Sequence, residues 1–335
     1  MKKITNNKIN FFKKNLIKII RKLGYEVIDQ NNLTIPNKDK KINEDISLIN
    51  NRITNIPLGY IDIEKKINKV LIILRTFTNE NKLLSQSKKR IFEKEKKIYS
   101  LKSLKSICLN IQLAEKKFTN LDFYLKVIDD NSSEDILKNM DDVCNQHNIK
   151  FDIENLDINK FESKLNFKDN KRMIAHNCHI YQSKEFALKS DYDLIYFLED
   201  DYIHKEDALI EMVYTYQKLS NQINDGIVLC PADYPYLYQK FEPSNIVIGH
   251  NRHWRLVYET LCTYMVSRET LVKFLPYYEE MYLNNHDPYE KSLHDLYKKI
   301  YCFSPIPSLA MHVTNINSVY GLPPLIDWEK LWNKF

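Results

Sequence analysis

Leu194 to Leu198 form an unbroken apolar and aromatic run, and Glu199, Asp200 and Asp201 follow at once. Such a run reads as a strand buried on both faces. Two earlier runs share the design: Val70–Leu74 leads into Arg75-Thr76, and Phe123–Ile128 leads into Asp129-Asp130. Helical periodicity fills the intervals, over about 82–118, from a Ser132 or Ser133 cap to about 147, and over 171–189. A short strand is expected near 149–153. Beyond the acidic run the pattern predicts a helix over 205–219 and a strand over 226–230. An aromatic, irregular stretch over 232–258 precedes a strand over 260–267, helices over 268–282 and 287–299, and a strand over 300–303. The alternation predicts an α/β fold: an open, mostly parallel sheet flanked by helices, with 260–267 a candidate antiparallel strand.

At the N-terminus, residues 8–23 place Ile9, Phe12, Leu16, Ile19, Ile20 and Leu23 on one side of a helix. Lys13, Lys14, Lys18 and Arg21 line much of the rest, and Gly24 suits a C-cap. Two readings fit: a helix docked on protein, or one lying on an anionic membrane surface. Residues 25–65 are polar and Asn-rich and read as a linker. The expected division is therefore 1–65 as an N-terminal extension and 66–335 as the main domain, with a boundary between its halves near 205.

Composition narrows the chemistry. The 335 residues carry 49 Lys and Arg against 44 acids, a net charge of +5, too mild to imply a nucleic-acid partner. The five glycines are scattered, which argues against a P-loop or a dinucleotide fingerprint. Six dispersed cysteines without a Cys-x-x-Cys pair argue against structural zinc and a disulfide framework. They fit buried thiols in a reducing cytoplasm. No apolar run is long enough to span a bilayer, and no secretory signal is expected.

In a parallel sheet the three polar clusters share the C-terminal edge, where ligands of α/β proteins bind. Acids there suit a hard divalent cation or a base and ribose, and a cation suits phosphate. The succession of Arg75-Thr76, Val127-Ile-Asp-Asp-Asn-Ser-Ser-Glu-Asp135, Arg172-Met-Ile-Ala-His-Asn177 and Phe197-Leu-Glu-Asp-Asp-Tyr202 resembles the GT-A glycosyltransferases. It is similar to the large inverting family two. The likeness covers about 68–205, thins over 206–320, and is absent before 66.

The resemblance implies a hexosyltransferase-like enzyme using a UDP- or GDP-sugar, with Mn²⁺ or Mg²⁺ on the leaving diphosphate. The acceptor would be a glycan or lipid-linked precursor in surface polysaccharide biosynthesis, at the inner face of the membrane. Arg75, Thr76, Arg172, Asn177 and either Asp129 or Asp130 would bind donor. Asp200 would meet ribose or sugar, and Asp201 the metal, with His312 a candidate further ligand. The expected base is Asp287, read also as a helix N-cap before Pro288; Glu259, Glu290 and Asp233 are alternatives. His253, Trp254 and Arg255 are candidates for a loop over phosphate or acceptor. The first strand ends in Arg75 where many relatives have Pro, and the metal motif opens with Glu199, so the sugar stays open. Rival readings are a nucleotidyltransferase or phosphatase, and a non-catalytic glycan-binding protein of the same fold.

Overall fold

The structure is a computed structural model that describes residues 11–25, 27, 49–50, 52–55, 59–78, 90–168, 171–239, 243–315 and 318–335. The chain divides into two units: Met1–Leu48 with Arg52–Asp62, and Ile49–Asn51 with Ile63–Phe335. The first contains α1 (Phe11–Lys22) and an antiparallel pair, β1 (Arg52–Asn55) and β2 (Gly59–Asp62). Residues 8–10 of the expected helix lie outside the described residues. The expected linker thus includes a hairpin, which its polar, Asn-rich composition did not announce.

The second unit opens with β3 (Lys69–Thr76), α2 (Lys96–Lys117), β4 (Asp122–Asp129) and α3 (Glu134–Gln146). Next come β5 (Phe151–Asn155), α4 (Ile158–Glu162), α5 (Lys171–Lys189), β6 (Leu194–Glu199), β7 (Tyr202–His204) and α6 (Ala208–Ile223). The remainder is β8 (Ile227–Leu229), β9 (Ile246–Ile248), β10 (His253–Val257), β11 (Tyr264–Ser267), α7 (Arg268–Lys273), α8 (Leu275–Leu283), α9 (Lys291–Leu296), β12 (Tyr301–Ile306), β13 (Ala310–His312) and α10 (Trp328–Lys334). The long helix expected over 82–118 begins only at Lys96; residues 79–89 lie outside the described residues. The helix expected over 268–282 is two, because Pro276 enters the first turn of α8.

One sheet runs β5-β4-β3-β6-β11-β8-β12-β10-β9. β5, β4, β3 and β6 are mutually parallel, as are β8 and β12, while β11 and β10 run against their neighbours. The expected open, mostly parallel sheet is observed, with the antiparallel strand where 260–267 predicted it. Strand alternation divides the core. Val70, Ile72 and Leu74 face α2, α3 and α6, with Leu104, Ile107, Met140 and Met212. Leu71 and Ile73 face α5, α8 and α9, with Cys178, Tyr278 and Leu293. Because both faces are covered, these strands carry no polar alternation.

From β3 the chain steps outward to β4 and β5, then returns through α5 to β6 on the other side of β3. That reversal is a topological switch point, and it opens a crevice at the carboxyl ends of β3 and β6. Across it, Arg75 lies in register with Glu199, and Thr76 with Asp129.

Candidate functional site

The acids gathered on this edge are not equivalent. Asp129 is fully buried, accepting from Thr76 Oγ1, Ser132 N and Ser132 Oγ at 2.7 Å each. Burial pushes its carboxyl up, and those hydrogen bonds oppose the shift. Asp129 and Thr76 therefore brace the turn after β4, with their polar atoms turned on each other, and Asp130 is the acid that lines the cavity below. Asp200 is also committed. It pairs with Lys96, accepts from Ser100 Oγ, and accepts from Phe77 N at 3.0 Å. It ties the ends of β3 and β6 to α2, so the acid expected to meet ribose or sugar has both oxygens bonded within the fold. Glu199 lies 3.3 Å from Arg75 and accepts from Thr263 Oγ1 at 3.2 Å. Arg75 is 7% exposed, so this strand-end cation serves an internal acid.

Beside the switch point is a cavity of about 600 Å³, lined among others by Phe77, Asp130, Arg172, Met173, His176 and Tyr289. Its wall is mostly apolar and aromatic, with an acid and a guanidinium, a lining suited to a flat heterocycle carrying charged groups. His176 and His179 also line it. Burial and the nearby Arg75 push both imidazoles down to about 3, so both are neutral at pH 7. His179 Nε2 donates to the Ile128 carbonyl at 2.7 Å, whereas His176 Nε2 is buried without a hydrogen-bond partner. Asn177 faces elsewhere: its amide donates to the carbonyls of Tyr282 and Asn284 at 3.0 Å each, fixing α5 to the end of α8. The structure keeps Arg172 at the cavity and withdraws Asn177 from it.

Asp201 and His312 meet because β13 pairs antiparallel with β7, setting His312 opposite Tyr202, and Val313 N donates to Asp201 O at 2.8 Å. His312 stacks on the Tyr202 ring at 4.5 Å. Its Nδ1 donates to the Tyr320 carbonyl at 2.7 Å, which turns Nε2 toward Asp201 Oδ1, 3.4 Å away. A ring nitrogen fixed by a carbonyl, with the other aimed at a carboxylate, is the usual preparation of a metal-binding imidazole. Burial pushes Asp201 up, but His312, Lys96 and Arg90 together hold it well below the ordinary carboxylate range. Burial lowers His312, but Asp201, Glu199 and the Tyr320 carbonyl together raise it. Among the described residues no three His, Cys, Asp or Glu side chains form an all-protein metal cage. A hard cation needs only one or two carboxylates when substrate phosphates supply other ligands. The pair fits that arrangement.

No family model matches this chain, and no curated protein matches it. Among solved structures, it is similar to a galactosyltransferase LgtC in complex with donor and acceptor sugar analogs: 11% identity over 67% of this chain and 70% of that one, TM-score 0.36. It is similar to GalNAc-T7 with UDP, GalNAc and Mn²⁺: 10% identity over 83% of this chain and 49% of that one, TM-score 0.43. It is also similar to a UTP-bound UGPase from Acinetobacter baumannii: 9% identity over 80% and 93%, TM-score 0.39.

The later half redistributes several expected roles. Asp287 is exposed and caps no helix, because α9 starts at Lys291 with Glu290 at its N-cap position. Glu290 is turned inward, 3.6 Å from Cys262 Sγ, and burial with the neighbouring Glu199 pushes its carboxyl up to about 7. Trp254 is fully buried and donates through Nε1 to Glu211 Oε1 at 3.1 Å, so it offers no stacking face. The same carboxylate accepts from His250 N at 3.1 Å and Asn251 N at 2.8 Å. Gly249 permits this closure, since a Cβ there would lie 2.3 Å from Trp254 Nε1. Arg255 pairs with the buried Asp233, which also accepts from Tyr238, and Arg252 pairs with Asp207. His253 is exposed on β10, in register with Ile248 and Ile306. The 250–255 segment is thus pinned in the fold and is no loop over the crevice.

Sequence reasoning missed Lys96, Ser100, Phe77 and Arg90. Lys96 and Ser100 share one side of α2 four residues apart, a weak signal of a helix turned toward an acid. Nothing in the sequence singles out Arg90.

Proposed function

We propose that the protein is a metal-dependent glycosyltransferase of GT-A type, moving a sugar from a UDP- or GDP-sugar to a glycan or lipid-linked acceptor. One observation carries the reading. At the switch point, a mostly apolar cavity bears Asp130 and Arg172; its wall residue Phe77 donates to Asp200, and the next residue, Asp201, faces His312 in a pair oriented for a cation. Nucleoside would occupy the cavity between Phe77 and Tyr289, with Asp130 on its hydroxyls or base edge and Arg172 toward the phosphates. Asp201 and His312 would hold Mn²⁺ or Mg²⁺, which stabilises charge on the departing diphosphate. Asp129, Asp200, Arg75 and Asn177 act in this reading by positioning the strand ends and α5.

We assign the base to Glu290, which is turned inward beside Cys262, over the exposed Asp287. A carboxyl near 7 takes a hydroxyl proton efficiently at neutral pH. Direct attack by an acceptor so deprotonated would invert the anomeric centre. The first test is thermal shift with UDP, GDP and their sugars, with and without Mn²⁺; a bound nucleotide raises the melting temperature by mass action. No shift with any of them overturns the reading. With a working donor, Glu290→Gln is expected to lower kcat by about 10²–10⁴-fold and remove an acid limb near pH 7, leaving donor affinity unchanged. Asp287→Asn should stay near wild type. The reverse result would return the role to Asp287.

A further inference from the structure

Resting on the donor site just proposed, we propose that Arg90 is the residue that couples metal and diphosphate binding. It holds Asp201 before they arrive and turns to the phosphates once a cation has taken its place.

The backbone at Arg90 is fixed. Arg90 bridges to Asn315, and Ile91 N donates to Thr314 O at 3.0 Å, just beyond β13 and His312. The guanidinium crosses the Tyr99 ring at 5.3 Å, and its Nη1 stops 3.8 Å from Asp201 Oδ2. That distance is an ion pair without a hydrogen bond, and Nη1 is a buried donor left unpaired. Lys96 is hydrogen-bonded to Asp200, whereas Arg75 and Arg90 each approach an acid with a buried nitrogen left unpaired. Of these two, Arg90 is the one set against Asp201, the carboxylate assigned above to the cation.

A second cation lies within reach. Arg172, at the cavity wall, is lowered by burial and further by the charge of Arg90. Two guanidinium groups near enough to repel one another, one of them on the cavity wall, favour an anion between them. Arg is suited to the role, since its fork matches phosphate oxygens. A divalent cation on Asp201 and His312 would repel Arg90 from the carboxylate, and a diphosphate on that cation would receive it. Neither ligand alone completes the exchange. The cation alone must displace Arg90 with no new partner for it, and the diphosphate alone must compete with Asp201.

The test is calorimetry on the full chain and its Arg90→Gln variant, titrated with Mn²⁺ alone, UDP and GDP with and without Mn²⁺, and the free nucleosides. In the wild type, Mn²⁺ and the preferred diphosphate should each tighten the other by about tenfold or more. In Arg90→Gln, Mn²⁺ alone should bind more tightly than to wild type. The diphosphate should weaken by about tenfold, the expected loss of a charge-assisted hydrogen bond. Nucleoside affinity should not move, whereas a merely structural role for Arg90 would lower all three. Arg90→Lys should recover part of the coupling. If Arg90→Gln retains wild-type coupling, or loses nucleoside and diphosphate equally, the proposal is overturned and the glycosyltransferase reading survives. If neither protein binds any nucleotide with or without Mn²⁺, that reading falls and takes this one with it.

Discussion

The ammonium of Lys184 lies 3.1 Å from the centre of the Phe197 ring, bonds to the Tyr264 hydroxyl, and sits 5.1 Å from the Tyr278 ring. Among the described residues no carboxylate pairs with it. Burial pushes it well below the ordinary lysine range, so folding favours its neutral form. The unfolded chain therefore binds the extra proton at every pH between the folded value and about 10.5, and stability rises with pH through that window. Lys184→Met should raise stability in urea unfolding at pH 6, and its advantage should shrink toward pH 9. An unchanged pH dependence would mean that Lys184 stays charged inside. The residue scale also shows where sequence reading stops. That Asp129, Asp200 and Asp201 end buried strands is plain in the one-dimensional pattern. Which oxygens remain available is not, because Thr76, Ser100, Lys96 and His312 reach them from distant segments.

Among the elements, β3, β4 and β6 were legible because strands buried on both faces need continuous apolar runs. The bounds expected for α5 match those observed. β9 and β10 were missed in the aromatic stretch. Ile246 and Ile248 are exposed at the sheet edge, and His253 and Arg255 alternate with buried Trp254 and Leu256 over too few residues to register. The helix expected over 287–299 shrank to α9, whose first turn lacks the capping Asp that the Asp287-Pro288 pair suggested. α1 met its expected pattern, with Phe12, Leu16, Ile19 and Leu23 exposed. Leu16 and Ile19 flanked by Lys14, Lys18 and Arg21 suit an interfacial helix. No described helix is long and apolar enough to cross a membrane. The full chain should therefore cosediment with vesicles containing anionic lipid, less so as salt rises, and Leu16→Asp with Ile19→Asp should abolish it. Equal retention of the double variant would assign the helix to a protein partner.

At the scale of the whole molecule, the last helix returns to support the first turn of α2. Trp332 is 5% exposed, stacks on Phe92 at 4.4 Å and meets Tyr99 at 4.9 Å, while Lys102 Nζ donates to its carbonyl at 2.8 Å. Tyr99 bonds in turn to the Ile91 carbonyl, next to Arg90. Trp332→Ala should cost about 3–5 kcal/mol of stability, as large-to-small core changes do. It should also weaken diphosphate binding while sparing free nucleoside, measured by chemical unfolding and calorimetry. Loss of stability alone would confine α10 to a packing role.

The pairing of β7 with β13 also has a consequence in time. Asp201 leaves the ribosome about a hundred residues before His312. At roughly 5–20 residues per second, that interval is on the order of ten seconds. During it, β3, β4 and β6 can already associate, since their contacts are complete by residue 199. The acidic corner would be formed but lack its histidine, so in a nascent chain the Asp201 carboxylate should spend that interval without its imidazole partner.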